Sequence, residues 1–173
     1  IWNEVALNGG LFYKRDEGQK LYRRSMYTYW KRSAPMPSMV AFDAPTREKC
    51  VIQRPRTNTP MQALVTMNDV QFVEAARVFA QRILNQGGED FDSQIDYAFL
   101  LATSRPADGL RKRTFRNLYD SQLKEFRGDK KRAEDLLKFG EVKRDMSVDL
   151  AKHAAWTTVA SAILNLDEVL TKE

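Results

Sequence analysis

The chain has only one cysteine and one histidine in 173 residues. A single cysteine, Cys50, excludes an internal disulfide, and with His153 as its one companion it cannot supply the ligand set of an ordinary zinc site. No Cys-x-x-Cys-His is present, so no c-type haem can be attached covalently and no cofactor is expected in this chain. No run approaches the roughly 18 consecutive apolar residues a membrane-spanning helix needs. No signal-peptide pattern opens the chain. It starts at Ile1 with Trp2 next rather than at a methionine, and so reads as a processed chain or a piece of a longer one.

What is present favours a folded domain. Hydrophobic residues make up 43% of the chain and charged ones 29%, a balance that separates it from both disordered and membrane-embedded sequences. The net charge of +5 is unevenly placed. Between Lys20 and Arg56, nine lysines and arginines stand against Asp43 and Glu48, which puts +7 in that segment and leaves −2 for the rest. Such a segment can draw an anionic partner by its local field, although a solvated or internally paired set of arginines has the same composition.

Taken in order, residues 1–21 mix apolar side chains with Gly9, Gly10 and Gly18 and read as an irregular lead-in that completes an upstream portion. Residues 22–173 read as a helical domain, divided into a basic, aromatic and proline-rich segment (22–58) and a helical bundle (59–173). Tyr22, Met26, Tyr29 and Trp30 have helical spacing and predict a short helix. Pro35, Pro37, Pro45 and Pro55 forbid regular structure beyond it, with an extended piece expected over Ser38 to Phe42. Met36, Met39, Val40, Phe42, Val51 and Ile52 supply apolar surface, so a packed loop is expected rather than a disordered one.

Thr59-Pro60 begins the clearest helical signal: threonine caps free amides, and proline at the first helical position sacrifices no bond. Met61, Leu64 and Val65 mark its expected inner face. Asp69 is expected to cap a second helix with apolar spacing through Val70, Val73, Ala76, Arg77, Ala80 and Ile83, stopped by a left-handed Gly87. Asp92 or Ser93 is expected to cap a third helix, which Arg105-Pro106 ends. Asp108 caps a long amphipathic helix, and a short charged one follows Gly128-Asp129. Ser147 is expected to open the last helix, striped by Val148, Ala151, Ala155, Val159, Ala162, Ile163 and Leu166. Helix after helix without a strand pair predicts an all-α fold, an irregular helical bundle with a long proline-rich packed loop near its N-terminus.

Several stretches are similar to a known family. They are Arg23 to Arg32, Pro37 to Pro45, Arg56 to Leu64, Asn68-Asp69 with Phe72-Val73-Glu74-Ala75-Ala76, and the closing Asn165-Leu166-Asp167-Glu168. Together they resemble a planctomycete-specific C-terminal domain of unknown function, found in large exported bacterial proteins that often also carry a cytochrome-c-like domain. The resemblance implies an exported, periplasmic or cell-surface parent, upstream domains of that parent as partners, and any haem in another domain. It implies no activity. Ala107, Asp108 and Gly109 depart from the family's usual opening of the long helix.

One region is a candidate site. Arg23, Arg24, Tyr27, Tyr29, Trp30 and Arg32 interleave cations with aromatic rings, a pattern that stacks on bases or sugars while the basic heads meet anions. Arg47, Arg54, Arg56 and Asn58 could converge on a phosphate-like or oxyanion group, with Gln62 and Cys50 close in sequence. An exported protein seldom meets nucleic acid, so a charged polysaccharide is the better ligand class. The blander readings are core aromatics, arginines tying down a loop backbone, a buried structural cysteine and a packed His153. Cys50 and His153 make a nucleophilic pair only on paper. The primary expectation is a non-catalytic module that packs against the rest of its parent; the alternatives are the anion site and, behind it, an enzyme site around Cys50.

Overall fold

The computed structural model describes residues 16–31, 35–53, 55 and 57–171. The chain forms two compact units, Ile1–Thr57 and Asn58–Glu173. Among the described residues there are eight α-helices, two 3-10 helices and no strand, so the all-α expectation holds.

In the first unit the single helix predicted from Tyr22 to Trp30 is replaced by two 3-10 turns, Gly18–Tyr22 and Ser25–Tyr27. Neither start has a side-chain cap, and Arg23 sits in extended backbone between them, so no longer helix can propagate. The extended piece expected over Ser38 to Phe42 is instead a short helix, α1, Pro37–Ala41. Pro37 stands at the first helical position, where its fixed φ starts a helix rather than breaking one. Met36, Met39 and Phe42 are half-buried, whereas Val40, Val51 and Ile52 are exposed.

The second unit opens with α2, Pro60–Asn68. Thr59 forms a full capping box: its hydroxyl accepts from Gln62 N, and the Gln62 side chain accepts from Thr59 N at 3.1 Å. Asp69 ends α2 and caps α3, Val70–Gln86. The left-handed turn after α3 falls on Gly88, φ 94°, not on Gly87, because the Gly87 amide still bonds Ile83 O at 2.7 Å with helical direction kept. The next cap is Asp90 rather than Asp92 or Ser93. Its carboxylate accepts from both the amide and the hydroxyl of Ser93 and starts α4, Phe91–Thr103.

Asp108 caps α5, Gly109–Gly128, and Asp129 caps α6, Lys130–Leu137. The last long helix, α7, Leu150–Leu164, is capped by Asp149, since Ser147 bonds Asp145 instead. A final turn, α8, covers Asp167–Leu170.

The α7 helix is the axis of the second unit, packed against α3, α5, α6, α4, α2 and α8. It is buried almost all round, not along the single expected stripe. Ala151, Ala154, Ala155 and Ala160 let neighbouring backbones approach, while Trp156 fills the centre. The Trp156 ring lies 5.3 Å from Phe91 and 5.5 Å from Tyr119, centroid to centroid, distances at which aromatic pairs attract beyond their buried area. Phe126, Ala133 and Leu137 close a smaller core at the other end.

Candidate functional site

In the basic segment, a loop is tied shut by Asp43, whose Oδ2 accepts from the Thr57 hydroxyl at 2.6 Å and the Thr57 amide at 3.1 Å. Within it Asp43 and Arg47 both have left-handed backbone, φ 57° and 64°. For residues with a β-carbon this geometry is strained, and it persists only where the surroundings enforce it. Arg47 is held with its guanidinium carbon 5.2 Å from the Trp30 ring centroid, a cation–π contact. These two members of the predicted set are therefore brought together.

The remaining members of the set differ in their settings. Arg23, Arg24, Tyr27 and Tyr29 are exposed. Arg32, Arg54 and Arg56 lie outside the described residues. Asn58 belongs to the second unit, where its amide donates to Asp167 Oδ1 at 2.7 Å. Cys50 is exposed, contrary to the expectation of a buried sulfur, because the whole stretch 46–53 around it is exposed and gives it no core to enter. His153 is fully enclosed, with Nε2 3.0 Å from the carbonyl oxygen of Arg77. A carbonyl only accepts, so Nε2 carries the proton, and with no exposed atom the ring cannot serve as the base of a nucleophilic pair. Among the described residues, no three His, Cys, Asp or Glu side chains gather as metal ligands. No described helix is long and apolar enough to cross a membrane.

Sequence reasoning missed the principal polar cluster. Glu74 Oε1 accepts from the amides of Glu141 at 2.8 Å and Val142 at 2.7 Å. Arg77 donates from Nε to Phe139 O at 3.2 Å and from Nη2 to Val142 O at 2.5 Å. One turn on, Gln81 accepts from Asp145 N at 3.1 Å, and Asn85 donates to Asp145 Oδ2 at 3.3 Å. One face of α3 thus takes the place of water at several amides and carbonyls of the connection between α6 and α7 and holds that connection against the helix. Burial, reinforced by the charges of Arg144 and Arg77 and opposed by the bond to the Arg77 carbonyl and by Asp145, holds the His153 pKa below its usual value. The available signal was Glu74 and Arg77 standing among apolar positions of α3, in helical register with Ala80 and Ile83.

The α2 helix has the reverse of the expected orientation. Gln62 and Thr66 are buried, 2% and 6% exposed, whereas Met61, Leu64 and Met67 on the opposite side are 58%, 56% and 49% exposed. The polar pair faces inward because each has partners there. Gln62 completes the capping box, and Thr66 donates to Asn165 Oδ1 at 2.8 Å.

Residues 5–119 match the model of the PSD1 family, described as a protein of unknown function (DUF1553). The chain belongs to the PSD1 family. No curated protein matches it, and no solved structure does. The PSD1 match takes in the basic segment and α2 to α4 and ends inside α5. The inverted face of α2 and the α3 residues Glu74 and Arg77 therefore lie within the PSD1 region, while the connection they hold and the axis α7 lie beyond it.

Proposed function

We propose that this chain is a non-catalytic helical module that docks onto the rest of a larger exported protein through the outward face of α2. The orientation of α2 carries this reading: it turns its polar residues into the unit and Met61, Leu64 and Met67 outward, with Val70 exposed at the start of α3. A helix that faces only solvent gains nothing from that arrangement, whereas one that meets a partner buries the apolar face on contact. The polar groups of α3 support the same reading, because the buried Glu74 and Arg77 and the half-buried Gln81 are engaged with backbone. In this reading the parent is periplasmic or at the cell surface, and any haem belongs to another of its domains.

Binding between this chain and the separately produced remainder of its parent tests the proposal. Wild type should bind, and Met61→Glu with Leu64→Glu should weaken binding by about a hundredfold, the loss of two buried apolar side chains. A wild-type chain that binds no part of the parent sinks the reading.

A second reading is favoured by the Trp30–Arg47 contact in its strained loop: an anionic polysaccharide stacked on Trp30, with Arg47, Arg23 and Arg24 meeting its charges and Tyr27 and Tyr29 beside them. Titration with alginate against neutral dextran, read by tryptophan fluorescence, decides it. Equal responses to the two polymers, or one unchanged by Arg47→Ala, would exclude it.

A further inference from the structure

The C-terminal end of α5 and the N-terminal ends of α6 and α7 enclose a cleft of about 280 Å³, floored by Phe126, Leu150 and Ala151 and rimmed by Arg127, Lys130 and Lys152. We infer that this cleft binds a compact oxyanion group, a phosphate or sulfate, free or carried as an ester on a sugar. The inference is independent of the proposed role of α2.

Three observations support it. First, the cations lack ion-pair partners among the described residues. Arg127, Lys130 and Lys152 are exposed and form no ion pair with a described residue, in contrast to neighbouring Arg132, which pairs with Glu125. Like charges held around one concavity repel, and the walls of a cleft reduce screening, so an anion placed between them relieves a standing cost.

Second, two of the cations occupy positions unfavourable for local stability. Lys130 is the first residue of α6 and Lys152 the third of α7. Both therefore sit at the positive ends of helix dipoles, where acidic residues are preferred and lysine is disfavoured. Where a sequence breaks a local rule of this kind, a site is the expected reason.

Third, the nearby carboxylates do not neutralise the cleft by pairing with these side chains. Asp129 accepts from Arg132 N at 3.0 Å and Asp149 from Lys152 N at 2.8 Å, each as a helix cap. Asp149 lines the cleft but faces the α7 amides; three cations against this one carboxylate leave the rim positive. At this volume the cleft accommodates a compact anion or one esterified sugar.

The test is titration of the whole chain with inorganic phosphate and with sulfate at constant ionic strength, following backbone amide shifts by NMR. The expected result is saturable shifts centred on residues 127, 130 and 150–152. Lys130→Gln with Lys152→Gln, both exposed and outside the two cores, should weaken binding by about tenfold. A sulfated polysaccharide that competes with phosphate for these amides assigns the site to an ester, and binding of the free ions alone assigns it to a free anion. Shifts that do not saturate, or that the double variant leaves unchanged, overturn the inference. Lys131→Gln, next in sequence but not part of the rim, serves as the control for a general charge effect; an equal loss there also overturns it.

Discussion

Gly140 lies directly against the side chain of Glu74: a β-carbon built on Gly140 would overlap Cβ, Cγ and Cδ of that glutamate. The same glycine has φ +93°, a conformation that side chains with a β-carbon rarely adopt. Two independent constraints, one steric and one torsional, thus converge on a residue in the connection between α6 and α7. Glu74 can reach the amides of Glu141 and Val142 only because the chain passes this close.

Gly140→Ala should therefore lower stability by about 1–3 kcal/mol. Gly128, near the end of α5, has open space around it and no positive φ. Gly128→Ala should be neutral or slightly stabilising, by up to about 1 kcal/mol. Urea unfolding of the two variants checks both; equal effects would contradict the role given to the Glu74 contact.

Stability should fall as pH drops below about 6.5, the ordinary histidine value. The sign follows from linkage. The pKa of His153 is lower in the folded state than in the unfolded one, so the unfolded chain takes up the proton first. Its contribution is complete above that ordinary value and is lost as pH falls through the folded pKa. With one histidine in the chain, the assignment is direct. Melting temperatures from about pH 8 to about pH 5 should decline in the wild type and stay flatter in His153→Gln. Asp90 and Asp145, both lowered by bonds to serines, lose their contributions only below about 3.8.

The closing motif is joined to both ends of α2, by Asn58–Asp167 just before its start and Thr66–Asn165 in its last turn, at 2.7 and 2.8 Å. A double-mutant cycle of Thr66→Val and Asn165→Ala should give a coupling energy of about 0.5–1.5 kcal/mol, and the more exposed Asn58–Asp167 pair less. A coupling near zero at both pairs would show that the motif does not hold α2 in place.

Cys50 should react stoichiometrically with a thiol reagent in the folded protein, because it is exposed. Cys50→Ser should change stability by less than about 0.5 kcal/mol. A thiol that reacts only after unfolding would contradict its placement.

Much of the second unit was legible in the sequence wherever the cause was local. Thr59-Pro60, Asp69 and Asp108 mark helix starts because a capping side chain and its target amide are two or three residues apart. The errors at Asp92 and Ser147 have a shared origin. Each had a nearby aspartate, Asp90 and Asp149, that competed for the same role, and which one wins depends on the path of the chain into the helix. The candidate site was only partly legible. The sequence places Trp30 and Arg47 in one segment, but only the left-handed turns at Asp43 and Arg47 bring the cation over the ring.

The sequence by itself determined that this protein is helical and where most helices begin, since periodicity and capping act over a few residues. Tertiary structure alone decided which faces are inside. Met61 and Leu64 have the spacing of a buried stripe, yet Gln62 and Thr66 take the inner side because their partners, one as distant as Asn165, are there to satisfy them. Glu74 and Arg77 are buried for the same reason: amides and carbonyls from residues 139–142 replace the water they give up. No local pattern carries that information, because the cost of burying a polar group depends on what the fold brings to meet it.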